Sequence, residues 1–159
     1  MPISECWAVN KFRQTLRVAV CLGLLGWALP AAASCSVSAT NLAFGDYDSL
    51  GGLPVDSVGS VTVSCILSLG YNIELSQGGA GSFDPRTLIS GANTLDYNLF
   101  TDATYLTIWG DGSASTAVVS GSVGLLLLPV VHTVYGRIPG GQNVAAGSYA
   151  DTITVTVVF

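Results

Sequence analysis

Thr152-Ile153-Thr154-Val155-Thr156-Val157-Val158-Phe159 decides the fold class. Ile153, Val155, Val157 and Phe159 fall on one face and Thr152, Thr154 and Thr156 on the other, the two-residue period of a strand with one side in a core. The same alternation recurs upstream. Val61, Val63, Cys65 and Leu67 share a face within Ser60–Leu67, and Tyr71, Ile73 and Leu75 continue it after a turn at Gly70. Leu95, Tyr97 and Leu99 alternate with Asp96, Asn98 and Phe100, and a short strand is expected over Tyr105–Trp109, ended by the Gly110-Asp111-Gly112 turn. Val118–Leu128 is interrupted by Gly121, Gly124 and the following Pro129, and extended character resumes over Val130–Ile138. No segment carries helical spacing. Seven or so short strands joined by Gly-rich turns predict an all-β sandwich of immunoglobulin-like type in a single domain.

Residues 1–33 read as a secretory signal. Lys11, Arg13 and Arg17 flank an apolar stretch from Val18 to Leu29 that is too short to span a bilayer, and Ala31, Ala32 and Ala33 supply a small-residue cleavage site. Cys35, close behind, also suggests a lipid anchor. Ala32, Ala33 and Ser34 before it lack the Leu and the final Gly or Ala of a lipidation box, so ordinary cleavage is expected, leaving residues 34–159 as the mature domain.

Once the leader is set aside, the cations are Arg86 and Arg137, against nine carboxylates. No basic patch exists to hold a phosphate backbone, so no nucleic-acid partner is expected. Lysine is absent, and with it a common protector of sheet edges. Cys6 and Cys21 leave with the leader, so Cys35 and Cys65 have only each other, and in an oxidising periplasm they are expected to form a disulfide. Two cysteines and a single His offer too few ligands for a metal site, and no cofactor is expected.

Further segments lie in order along residues 34–159. They are Leu42-Ala43-Phe44-Gly45-Asp46-Tyr47-Asp48, Gly59-Ser60-Val61-Thr62-Val63-Ser64-Cys65, and Tyr71-Asn72-Ile73-Glu74-Leu75-Ser76 with Arg86-Thr87-Leu88 downstream. Leu95-Asp96-Tyr97-Asn98-Leu99-Phe100-Thr101-Asp102, Trp109-Gly110-Asp111-Gly112 and Tyr135-Gly136-Arg137-Ile138-Pro139 with Gln142 follow, then Ala146-Gly147-Ser148-Tyr149-Ala150-Asp151-Thr152-Ile153-Thr154-Val155. Together they resemble the spore coat protein U domain, the family that includes subunits of archaic chaperone-usher pili.

The resemblance implies an incomplete immunoglobulin-like β-sandwich that lacks its final strand and is completed by a donor strand. A periplasmic chaperone would fill the groove first, and a strand from a neighbouring pilin subunit would replace it at the outer-membrane usher, which is β-strand addition. The implied protein is a secreted structural subunit of a pilus or surface coat, not an enzyme, with no small-molecule substrate. The candidate acceptor-groove or adhesive residues are Leu125, Leu126, Leu127, Val130, Val131, Ile153, Val155, Val157 and Phe159. Polymerising subunits carry an alternating apolar donor segment before the first mature cysteine, whereas cleavage after Ala33 leaves only Ser34 there. The expected place is therefore the tip or end of an assembly. The alternative function is a surface-binding adhesin module that uses exposed apolar loops.

Plainer roles suit the remaining candidates. His132 lies in an extended apolar stretch with no Ser-His-Asp arrangement and reads as a strand residue. Asp46 and Asp48, alone or with Asp84 or Asp111, lack the alternating oxygen ligands of a calcium loop and read as turn residues. Trp109 is expected in the core, and Arg86 and Arg137 are each expected to pair with a carboxylate.

Overall fold

The computed structural model describes residues 35–65, 69–124 and 128–159, together with Pro2–Ile3 and Cys6–Val9. Its strands are β1 (Pro2–Ile3), β2 (Cys6–Val9), β3 (Cys35–Ala39), β4 (Gly45–Asp46), β5 (Val55–Cys65), β6 (Leu69–Leu75), β7 (Arg86–Ser90), β8 (Asn93–Phe100), β9 (Val119–Val123), β10 (Val130–Ile138) and β11 (Thr152–Val158). One sheet runs β3-β5-β10-β8-β7 and the other β2-β11-β6-β9, while β1 and β4 form a small two-stranded ribbon. The two large sheets face each other as an immunoglobulin-like sandwich, as the strand pattern predicts.

The period-2 reading places the core. Val61 and Val63 of β5, Val134 and Ile138 of β10, and Leu95, Tyr97 and Leu99 of β8 are buried from one sheet. Tyr71, Ile73 and Leu75 of β6, Ile153 and Val155 of β11, and Val123 of β9 meet them from the other. Leu42, Phe44, Trp109 and Tyr149 join the core from the connections.

Two expectations need correction. The strand expected over Tyr105–Trp109 is not formed, because Tyr105 adopts φ 58°, in the left-handed region, and breaks the extended path. Only single bridges remain there, Phe100 to Ile108 and Trp109 to Ala117. Among the described residues Arg86 pairs with no carboxylate. It is fully buried, and its guanidinium donates to the carbonyl of Ser76 at 3.0 and 3.1 Å, the carbonyl of Trp109 at 2.7 Å and Asn98 Oδ1 at 2.8 Å. Burial pulls its pKa down to about 10, so it remains charged at neutral pH. Arg137 does find a carboxylate, with bonds of 2.6 and 2.7 Å to the two oxygens of Asp56.

Cys35 and Cys65 stand opposite each other in the β3–β5 ladder and are joined by the expected disulfide, S–S 2.14 Å. Because β3 is short and borders the sandwich, this bond fixes its end to the long strand β5.

Candidate functional site: the outer edge of the last strand

β11 has two edges with different neighbours. On one it pairs antiparallel with β6, Val155 opposite Leu75 and Val157 opposite Ile73. On the other it pairs parallel with β2, Thr152 opposite Cys6, Ile153 opposite Trp7, Thr154 opposite Ala8 and Val155 opposite Val9. β2 also lies against β3, so it runs in the seam where the edge strands of the two sheets approach. Among the described residues from Cys35 onward β11 thus has one strand neighbour, and the second comes from the segment read as a leader.

The candidate residues separate into groups. Ile153 and Val155 are buried, Val157 is half-buried against the core, and Phe159 is 41% exposed beyond the strand end. Val130 and Val131 lie in the other sheet, opposite Val63 and Thr62 of β5; Val130 packs on the core and Val131 is exposed. The structure therefore does not bring Val130 and Val131 to the β11 edge. Leu125, Leu126 and Leu127 lie outside the described residues.

Near Phe159 stands a contact the sequence reading missed. Tyr71 of β6 and His132 of β10 join the two sheets, with the phenol oxygen 2.9 Å from Nε2 and the rings edge to face at 5.8 Å. Phe159 lies 6.0 Å from the Tyr71 ring. Gly121 of β9 permits this, since a Cβ there would stand 2.6 Å from the Tyr71 ring. The interruption of the Val118–Leu128 pattern by Gly121 was the one sequence signal of such a close approach.

Burial raises the Tyr71 pKa and lowers that of His132 below its ordinary 6.5. At His132 the folded protein then binds fewer protons than the unfolded chain. The stability His132 confers is complete above its unfolded pKa and is lost as pH falls through it, levelling off below the folded value. The expected result is a melting temperature that drops between pH 7.5 and 5.5, with that part of the drop absent in His132→Gln. Parallel pH profiles for the two proteins would refute the assignment.

The chain matches the Spore Coat Protein U domain over residues 22–156. It belongs to the Spore Coat Protein U domain family. Within that family it is similar to Protein U of Myxococcus xanthus, 34% identical over 131 residues that cover 74% of this chain and 71% of the relative. Among solved structures it is similar to a chain in the CsuC–CsuE chaperone–tip adhesion subunit pre-assembly complex from the archaic chaperone-usher Csu pili of Acinetobacter baumannii. That likeness has a TM-score of 0.55 at 24% identity and covers 80% of this chain. This chain spans 40% of the length of that one.

The quoted motifs now have places in this Spore Coat Protein U domain. Leu42, Phe44 and Tyr47 are core residues, and the Tyr47 hydroxyl donates to the carbonyl of Pro139 at 3.1 Å. Gln142 clamps β8 in both directions: its Oε1 accepts from Asp96 N and its Nε2 donates to Asp96 O, each at 2.8 Å. Trp109 is fully buried and donates from Nε1 to the carbonyl of Ile73 at 3.0 Å. Asp48 and Asp111 hold their own turns, accepting from Leu50 N and Ser113 N, each at 2.9 Å. Asp151 ties β11 to its surroundings, accepting from Gly79 N and from the Tyr97 hydroxyl, each at 2.7 Å. These residues build the sandwich.

Proposed function

We propose that this protein is a secreted, non-enzymatic structural subunit of a chaperone-usher pilus or surface coat, assembled by donor-strand complementation at the outer edge of β11. The observation that carries the reading is the parallel pairing of Cys6–Val9 with Thr152–Val155. If residues 1–33 are removed as a signal, that segment goes with them and β11 is left with β6 alone. The apolar row Ile153, Val155 and Val157 then borders an open seam beside β3. An apolar strand edge left in this state is an aggregation hazard, and a periplasmic chaperone followed by a neighbouring subunit would relieve it. Membership of the family and likeness to a chain in a chaperone–subunit complex support the same reading.

Expressed into the periplasm alone, the chain is expected to be insoluble. Co-expression with a chaperone of the archaic class, or addition of an alternating apolar donor peptide, is expected to bring it into solution as a one-to-one complex. Reversible folding as a soluble monomer without any partner would overturn the assignment. In the same preparation, mass spectrometry of the mature N-terminus decides its position in the assembly. Cleavage after Ala33 leaves nothing to donate and places the subunit at a tip or end, whereas a terminus ten or more residues before Cys35 supplies a donor strand and makes it a shaft subunit.

A second reading, an adhesin module acting through apolar loops, is favoured by Leu50 and Leu53, 91% and 75% exposed in one connection. Leu128 and Val131, 66% and 61% exposed, support it at the start of β10. Large contiguous exposed apolar surfaces mark contact sites.

A further inference from the structure

The outward face of the five-stranded sheet has a composition the assembly reading does not use. On β3 and β5 it is a ladder of hydroxyls: Ser36 stands opposite Ser64, Ser38 opposite Thr62, and the Thr40 and Ser60 hydroxyl oxygens lie 3.1 Å apart. Thr133 of β10 extends the Ser60 rung. One rung further the chemistry changes to aromatic. Tyr135 of β10 sits between Val58 and Phe100, its partners on the flanking strands.

Tyr105 packs across this rung, its ring centroid 5.5 Å from that of Phe100 and 6.5 Å from that of Tyr135. Its ring also lies 3.6 Å from the guanidinium carbon of Arg137. A tyrosine at φ 58° persists only where its surroundings hold it, and such positions concentrate at sites of contact. Here Arg137, clamped by both oxygens of Asp56, holds it.

Along β3, β5 and β10 the outward charges are Asp56 and Arg137, which neutralise each other. These three strands thus carry no net outward charge, while Asp96 of β8 and Asp102 beside Tyr105 add carboxylates and no exposed cation at the border of the aromatic rung, on a domain whose nine carboxylates outnumber its two arginines. Hydroxyls donate and accept hydrogen bonds alike, and aromatic rings present apolar surface with a polar edge. A sugar polymer has the same two chemistries, a hydroxyl rim around a C–H face.

We propose that this face binds a neutral polysaccharide, the sugar hydroxyls meeting the Ser/Thr ladder and a sugar ring stacking at Tyr105 and Tyr135. An anionic polymer would face the net negative domain without a cationic patch to receive it. The inference goes beyond the assembly role and does not depend on which strand completes β11.

The test is affinity electrophoresis of the donor-peptide-complemented protein through gels holding dextran or, separately, alginate. Dextran is expected to retard it and alginate is not. Tyr135→Ala and Tyr105→Gly are each expected to weaken retardation about tenfold, the scale of losing one aromatic contact. Tyr105→Gly removes the ring while relieving the backbone, so a lost fold does not explain its effect. Thr62→Lys, which places an unpaired charge among the hydroxyls, is expected to weaken binding with the aromatic rung intact. Equal retardation by alginate and dextran, or unchanged retardation in these variants, would overturn the proposal. So would concentration-dependent self-association that disappears in Tyr135→Ala without any retardation by dextran, since the face would then bind a second copy of the chain.

Discussion

Arg86→Met is expected to cost the domain about 3 kcal/mol or more, because it strands buried acceptors that hydrogen bonds from a charged donor now satisfy. Arg86 sits on β7 in one sheet and reaches the carbonyl of Ser76, which follows β6 in the other. It also holds the carbonyl of Trp109 and Asn98 Oδ1. Asn98 in turn donates to the carbonyl of Phe83 at 2.8 Å, so the network ties β7, β8 and two connections together. Methionine matches the length and apolar stem but leaves the carbonyls of Ser76 and Trp109 facing no donor, while Asn98 Oδ1 keeps Leu99 N at 2.9 Å. Arg86→Lys keeps the charge but lacks the planar fork, and an intermediate loss of about 1–2 kcal/mol is expected from bonds to charged groups. Urea denaturation of the strand-complemented protein measures both. A loss below about 1 kcal/mol for Arg86→Met would show that water or rearrangement satisfies those carbonyls.

The second large effect is expected on removing the disulfide. Cys35 and Cys65 close a loop of about 31 residues, and the chain-entropy estimate gives about 3.5 kcal/mol for releasing it. Cys35→Ser with Cys65→Ser should lose about that much, and amide exchange should rise first in β3. The reason is local: β3 is a five-residue edge strand with β5 as its ladder partner, and the disulfide lies at its start. Since β3 walls the seam beside β11, the variant should also bind a donor peptide more weakly than the parent does. Exchange spread evenly over both sheets would show that the bond stabilises the whole sandwich instead of its edge.

The sequence revealed the elements whose inward residues are large. Ile153 and Val155, Tyr71 to Leu75, and Leu95 to Leu99 were legible because alternation is unambiguous when one face is bulky and the other polar. β5 was harder. It extends back to Val55, but Gly59 takes an inward position under Leu42, and a glycine gives no apolar signal to count. Tyr105–Trp109 misled for the opposite reason: its β-branched and aromatic residues favour a strand, while a single positive φ at Tyr105 prevents it. Partners across space were the least legible. Nothing local told that Arg86 would be held by carbonyls and not by a carboxylate, or that Tyr71 would meet His132 from the opposite sheet. The edge of β11 was partly legible. The apolar face of β11 was plain, whereas the grouping of Val130 and Val131 with it was not, because consecutive residues on β10 point to opposite faces of another sheet.

The placement of the two arginines bears on how the domain endures outside a cell. Proteases that cut after basic residues have two sites between Cys35 and Phe159. One follows Arg86, which is fully buried; the other follows Arg137, in the middle of the sheet and gripped by Asp56. Cleavage at either requires strands to separate first. A folded domain of this kind would outlast trypsin-like enzymes for as long as its unfolding is slow, with its durability set by the opening rate of the sandwich and not by any shielding of loops.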